Sequence, residues 1–129
     1  MSKIMVIEED SAMRVLISEW LAGEGHDVRS LPRHDAASRH NLHHTHGAAA
    51  DVVILDLPHP RSRSGETARA LQAVHAAFPQ ASVIGISTQL ARSLGRDSDV
   101  ARTLGVNQLL PKPCTRDELL GAVAAALAA

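Results

Sequence analysis

Cysteine is almost absent: Cys114 stands alone among 129 residues. One thiol excludes an intrachain disulfide and a cysteine-built zinc site, and it suits a reducing compartment. A surplus of charge is also missing. Lys and Arg number 13 against 14 Asp and Glu, a formal net charge of -1, which argues against a nucleic-acid binder with a broad basic face. No apolar run is long enough to cross a bilayer. The opening MSKIMVIEED meets acidic residues after a few apolar ones, unlike a secretory leader. The cytoplasm is therefore the expected location. What is present, 45% hydrophobic and 21% charged residues, is the composition of a folded globular chain. The length predicts one domain, 1–129, with its own core.

Strand and helix patterns alternate. Residues 3–7 read as a short apolar strand that stops at Glu8, Glu9 and Asp10. Met13, Leu16, Ile17, Trp20 and Leu21 then recur at the spacing of one helical face, with Asp10 or Ser11 as cap and Gly23 and Gly25 as stops. A brief strand over 27–30 follows. The histidine- and alanine-rich stretch 33–47 reads as a helix with a weak apolar face. Residues 51–55 form the second strong strand, Ala68, Leu71, Val74 and Phe78 mark a helix ended by Pro79, and SVIGIS (82–87) is another strand. A more polar helix is predicted over 90–104, weakened at Gly95, and a short strand over 108–110. Thr115 and Glu118 form a capping box for the last helix, whose Leu119, Leu120, Val123 and Leu127 are predicted to face the core.

Five strands alternating with five helices imply an α/β fold, a parallel sheet covered on both faces. Right-handed crossovers bring every strand's carboxyl end to one edge, where open sheets of this kind bind ligands. The residues gathered there are Glu8 and Glu9, then Asp56, Ser87 and Thr88, and Lys112. Clustered carboxylates repel one another, and a divalent cation relieves that repulsion. All-oxygen ligands with few protein donors favour magnesium, its shell completed by water or a phosphoryl group. Lys112 and Ser87 add an ammonium and a hydroxyl that suit phosphoryl oxygens, with the Asp56 carboxylate as nucleophile.

Taken together, KIMVIEED with SAMRVLISEWLAGEGHDV, DVVILDLPHP, SVIGIST and LLPKP resemble the receiver domain of two-component response regulators, from Lys3 to the last helix. The resemblance implies a single doubly wound five-stranded parallel sheet, (βα)5 and flavodoxin-like, with strand order 2-1-3-4-5. It implies that Asp56 is the phosphoacceptor. Mg2+ would be held by Glu8, Glu9, Asp56 and the backbone carbonyl of Pro58. Ser87 would bind a phosphoryl oxygen, Lys112 would bridge acceptor and phosphoryl group, and Lys112–Pro113 would be cis. The implied partners are a sensor histidine kinase or phosphotransfer protein and, through the face of the fourth helix, fifth strand and fifth helix, a downstream protein or a second copy of the chain.

Several positions depart from the family pattern. Glu9 stands where the second acid is usually aspartate, and Thr88 where a small residue is usual. Pro58 stiffens the route to Asp56, and the loop PHPRSRSG holds one extra residue before Gly65. Leu109 replaces the aromatic residue that couples phosphorylation to the output face, and the chain has no tyrosine. Cys114 replaces another aromatic and reads as a small hydrophobe. His40, His43, His44 and His46 invite a metal reading, but zinc needs a third ligand and a supporting shell, so a solvated helix and loop is preferred. Arg61 and Arg63 read as solvated loop charges.

Three functions compete. A phosphorylation-controlled switch leads, and a degenerate receiver acting as a constitutive interaction module is the alternative. An enzyme using an aspartyl phosphate on small substrates is not expected, because Pro58 occupies the place of such enzymes' second aspartate. Direct binding to DNA is not expected either, since no basic recognition helix is apparent.

Overall fold

The computed structural model describes residues 2–32, 50–57, 66–88, 90, 93–95 and 97–128. Its strands are β1 (Lys3–Ile7), β2 (Asp27–Leu31), β3 (Val52–Asp56), β4 (Ser82–Ser87) and β5 (Gln108–Pro111). Among the described residues the helices are α1 (Ser11–Gly23), α2 (Glu66–Ala77), α3 (Asp99–Leu104) and α4 (Arg116–Ala128). The sheet order is β2-β1-β3-β4-β5 and these five strands pair in parallel throughout, as expected. The stretch 33–47, Pro58, Arg61, Arg63 and Gly65 lie outside the described residues.

The period of two along a strand divides the core between the two faces of the sheet. Met5, Ile7, Val53, Leu55, Val83 and Leu109 lie on one face, packed with Leu71, Val74 and Phe78 from the α2 segment. Ile4, Val6, Ile54, Ile84, Ile86 and Leu110 lie on the other, packed with Ile17 and Leu21 of α1 and Leu119 and Val123 of α4. Strands buried on both faces read as continuous apolar runs, the pattern of VVIL and VIGI. Phe78, the one phenylalanine, sits fully buried just after α2, its N–H donating to Val74 O at 2.8 Å. Trp20 is partly buried against the second core face, as are Met13 and Val28.

Helix ends follow local chemistry. The Asp10 Oδ1 accepts from the Met13 N–H at 3.1 Å and starts α1. Ahead of α4, Glu118 N–H donates to Thr115 Oγ1 at 3.0 Å and Thr115 N–H to Glu118 Oε1 at 2.9 Å, the predicted box. Gly105 ends α3 in the left-handed region at φ 74°, where a side chain would be strained.

Three expectations need correction. Among the described residues of the predicted 90–104, helix covers Asp99–Leu104. The Ser98 Oγ accepts from Ala101 N–H at 3.0 Å and begins it there, while upstream the Leu94 backbone bonds to β5 rather than to a helical turn. Leu16 and Leu127 are 41% and 38% exposed. Each lies just outside its helix's buried stripe, which Ile17 and Leu21 form on α1 and Leu119, Ala122, Val123 and Ala126 form on α4.

Gly85 carries a packing requirement. A Cβ built there would meet Leu109 Cδ2 at 2.9 Å and Leu57 Cδ1 at 3.0 Å. Gly85→Ala is therefore expected to overpack this core face and lower stability by about 1–3 kcal/mol. The urea midpoint measures this, and an unchanged midpoint would show that the two leucines yield freely.

Candidate functional site

Parallel register carries the chemistry to one edge. Ile7 pairs with Leu55, Asp56 with Ile86 and Ser87 with Pro111, so Glu8, Asp56, Ser87 and Lys112 end adjacent strands. The connecting backbone is pinned: Glu8 N–H donates to Leu31 O at 3.2 Å, Leu57 N–H to Ile86 O at 2.9 Å and Lys112 N–H to Ser87 O at 2.9 Å. The Lys112–Pro113 peptide bond is cis.

Three of the predicted side chains converge. Glu8 is fully buried and Asp56 only 4% exposed. The Lys112 ammonium donates to Glu8 Oε1 and reaches Asp56 Oδ1 at 3.5 Å, joining the two carboxylates. Ser87 is buried at the end of β4. Glu9 and Thr88 stand exposed at the rim. Glu9 contributes through its backbone, its N–H donating to Asp56 Oδ2 at 3.4 Å. The Asp10 N–H donates to Glu8 Oε1 at 3.3 Å, while the Asp10 side chain serves the helix.

Burial sets the electrostatics. Burial raises the Glu8 carboxyl above the usual carboxylate range; the hydrogen bond and charge of Lys112 oppose this, and the neighbouring Asp56 charge adds to it. For Lys112 burial acts downward, but the bond to Glu8 and the charges of Glu8 and Asp56 carry the ammonium above its usual value. Lys112 thus stays protonated across the physiological range. Burial also pushes the Cys114 thiol up, helped by the charge of Glu118, consistent with a small buried hydrophobe and not a thiolate nucleophile.

The sequence missed two features. Arg14, on the first turn of α1, donates from Nη1 to the Glu8 carbonyl at 2.7 Å. Its signal was a cation one helical turn past the acidic cluster. The second is the orientation of Glu8, which turns inward to Lys112 and leaves Oε2 buried without a hydrogen-bond partner. Among the described residues no three His, Cys, Asp or Glu side chains converge as a cation site. Magnesium needs only one or two protein carboxylates, with water and phosphate oxygens completing the octahedron. The unpartnered Glu8 Oε2 and the Asp56 carboxylate, the two acids that Lys112 joins, fit that demand.

Comparison with known proteins bears on this arrangement. A family model for the response regulator receiver domain matches residues 4–124. The transcriptional regulatory protein CpxR of Escherichia coli K12 is 28% identical over 127 residues, covering 98% of this chain and 50% of its own length. CpxR of Klebsiella pneumoniae aligns at the same identity and over the same shares. The chain therefore spans about half the length of the curated relatives it matches. Among solved structures, a receiver domain from Clostridium thermocellum superposes with a TM-score of 0.71 at 22% identity, covering 99% of this chain and 95% of that one. The chemotaxis protein CheY4 of Vibrio cholerae gives a TM-score of 0.72 at 19% identity, with 98% and 99% covered. At such identities the likeness is one of fold. Among the described residues no helix is long and apolar enough to cross a membrane.

Proposed function

Since the chain belongs to the response regulator receiver domain family, we propose that Asp56 accepts a phosphoryl group from the phosphohistidine of a sensor kinase or phosphotransfer protein. The observation that carries this reading is the Lys112 ammonium set between two buried carboxylates, at Asp56 Oδ1 and Glu8 Oε1. A carboxylate oxygen of Asp56 attacks phosphorus, an O–P bond forms, and the N–P bond to the donor imidazole breaks. The bond pair leaves with the imidazole nitrogen, which takes its proton from solvent.

The site's own residues position and neutralise and do not shuttle protons. Lys112 follows the charge from the carboxylate to the phosphoryl oxygens, and Ser87 supplies a hydroxyl donor to one of them. Glu8, Asp56 and Glu9 would hold Mg2+, with the carbonyl of Pro58. That ion supplies positive charge to the transferring group when bound. The output face in this reading is built by α3, β5 and α4. It engages a downstream protein or a second copy of the chain, in the cytoplasm, with 1–129 acting as one domain.

A second reading is a phosphorylation-independent interaction module. It is favoured by the ion pair through which Lys112 already satisfies Glu8. Incubation with Mg2+ and acetyl phosphate separates the two. The switch predicts a mass gain of one phosphoryl group, mapped to the fragment holding Asp56 and dependent on Mg2+. No gain under conditions that label an ordinary receiver leaves the interaction module.

A further inference from the structure

We propose that residues 93–95 form a strap that closes the outer edge of β5 in the unmodified protein and is released when Asp56 carries a phosphoryl group. The proposal rests on the reading of Asp56 as phosphoacceptor. It starts from Leu94, ahead of α3, which forms a β-bridge where a helix was expected. Leu94 N–H donates to Leu109 O and Leu109 N–H to Leu94 O, both at 2.8 Å, an antiparallel bridge on the free side of β5. Two residues on, the same side presents Pro111, which has no N–H to offer. Leu94 thus takes the main-chain donor of Leu109 on this edge.

The strap has a second anchor. Ser93 Oγ donates to Glu118 Oε2 at 2.8 Å, the carboxylate whose other oxygen accepts the Thr115 N–H at the start of α4. The Thr115 backbone and the Ser93 hydroxyl hold the Glu118 carboxyl below the usual range, so the anchor stays charged. One short segment is therefore fastened to β5 and to α4, two elements of the output face, by three hydrogen bonds. Gly95 O also accepts from Ser98 N–H at 3.0 Å and Leu94 packs on the core face, so the strap is held by a few bonds and one side chain, the kind of element that opens locally.

The strap is also connected to the reactive strand. Leu57, next to Asp56, and Leu109 both lie over Gly85, where an added Cβ would meet their methyl carbons at 3.0 and 2.9 Å. Leu109 is 1% exposed and cannot swing from core to solvent as a surface aromatic can. A displacement of Leu57 is passed to the Leu109 backbone, and that backbone is what Leu94 grips. In a chain without tyrosine, the main-chain bridge takes the part of a rotating side chain. Coupling is reciprocal: if phosphorylation opens the strap, opening the strap by mutation favours phosphorylation.

The test follows amide exchange at Leu109 in the full chain, with Asn107 as internal reference because its N–H is held by Val83 O at 2.8 Å within the sheet. The native protein is compared with Ser93→Ala and Leu94→Pro, each with Mg2+ alone and with Mg2+ plus acetyl phosphate, while mass reports the phosphorylated fraction. The expected result is an exchange rate at Leu109 at least tenfold faster on phosphorylation, with Asn107 unchanged. The two variants show that faster rate before phosphorylation and reach a higher phosphorylated fraction than the native chain. Mass gain with unchanged Leu109 exchange overturns the strap and leaves the phosphoacceptor standing. Absence of mass gain in the native chain and both variants overturns both.

Discussion

Asp56→Asn is expected to abolish phosphoryl uptake while leaving the protein folded. The amide nitrogen and oxygen are far poorer nucleophiles than a carboxylate, so the reaction loses its acceptor and not merely its rate. The side chain keeps its shape, and its remaining oxygen can still accept from the Glu9 N–H or from Lys112, which reach Asp56 at 3.4 and 3.5 Å. Removing the Asp56 charge also removes one of the causes that raise the Glu8 carboxyl. Lys112 stays paired with Glu8. Stability should therefore stay within about 1 kcal/mol of the native value. Intact mass after acetyl phosphate treatment measures the first effect and urea denaturation the second. Undiminished uptake by this variant would place the acceptor elsewhere in the chain.

Lys112→Met is expected to be both inactive and unstable. Glu8 has no exposed surface, and Lys112 is its charged partner. Deleting one member of a buried pair strands the other, at a cost of about 3–5 kcal/mol, a large share of the stability of a domain this size. The loss depends on pH in a definite direction. Glu8 already has a raised carboxyl; without Lys112 the hydrogen bond and charge that oppose burial disappear, and it rises further. The folded variant then binds a proton over a wider range above the unfolded carboxylate value. Stability falls as pH increases through that range. The gap between native and variant urea midpoints should be narrow near pH 4 and wide near pH 8 (order-of-magnitude bounds set by ordinary carboxylate values). An equal gap at both values would mean that Glu8 finds another partner when Lys112 is gone.

The site was legible in the sequence to the extent that strand order alone builds it. Parallel strands deliver their carboxyl ends to one edge, so Glu8, Asp56, Ser87 and Lys112 could be grouped without coordinates. Which carboxylate turns inward was not legible. Glu8 and Glu9 are identical neighbours, and only the pleat decides that one is buried and the other exposed. Elements were recovered where apolar period and cap agreed, as at Asp10 and at Thr115 with Glu118. The failure at 90–104 has the opposite cause. Its leucines suit a helix, but Ser98 followed by Asp99 is a start signal in the middle of that run, and the Leu94 backbone is claimed by a strand fourteen or more residues downstream. Local patterns cannot register a competitor so distant in sequence.

Trp20 has a practical use. It is the one tryptophan in a chain without tyrosine, and it rests where α1 meets the sheet. Ultraviolet-excited emission from this protein therefore comes from one indole on one helix, with no phenol to feed or blur it. A red shift or quench reports α1 leaving the sheet, and urea titrations of the variants above can be read from the native chromophore without a label.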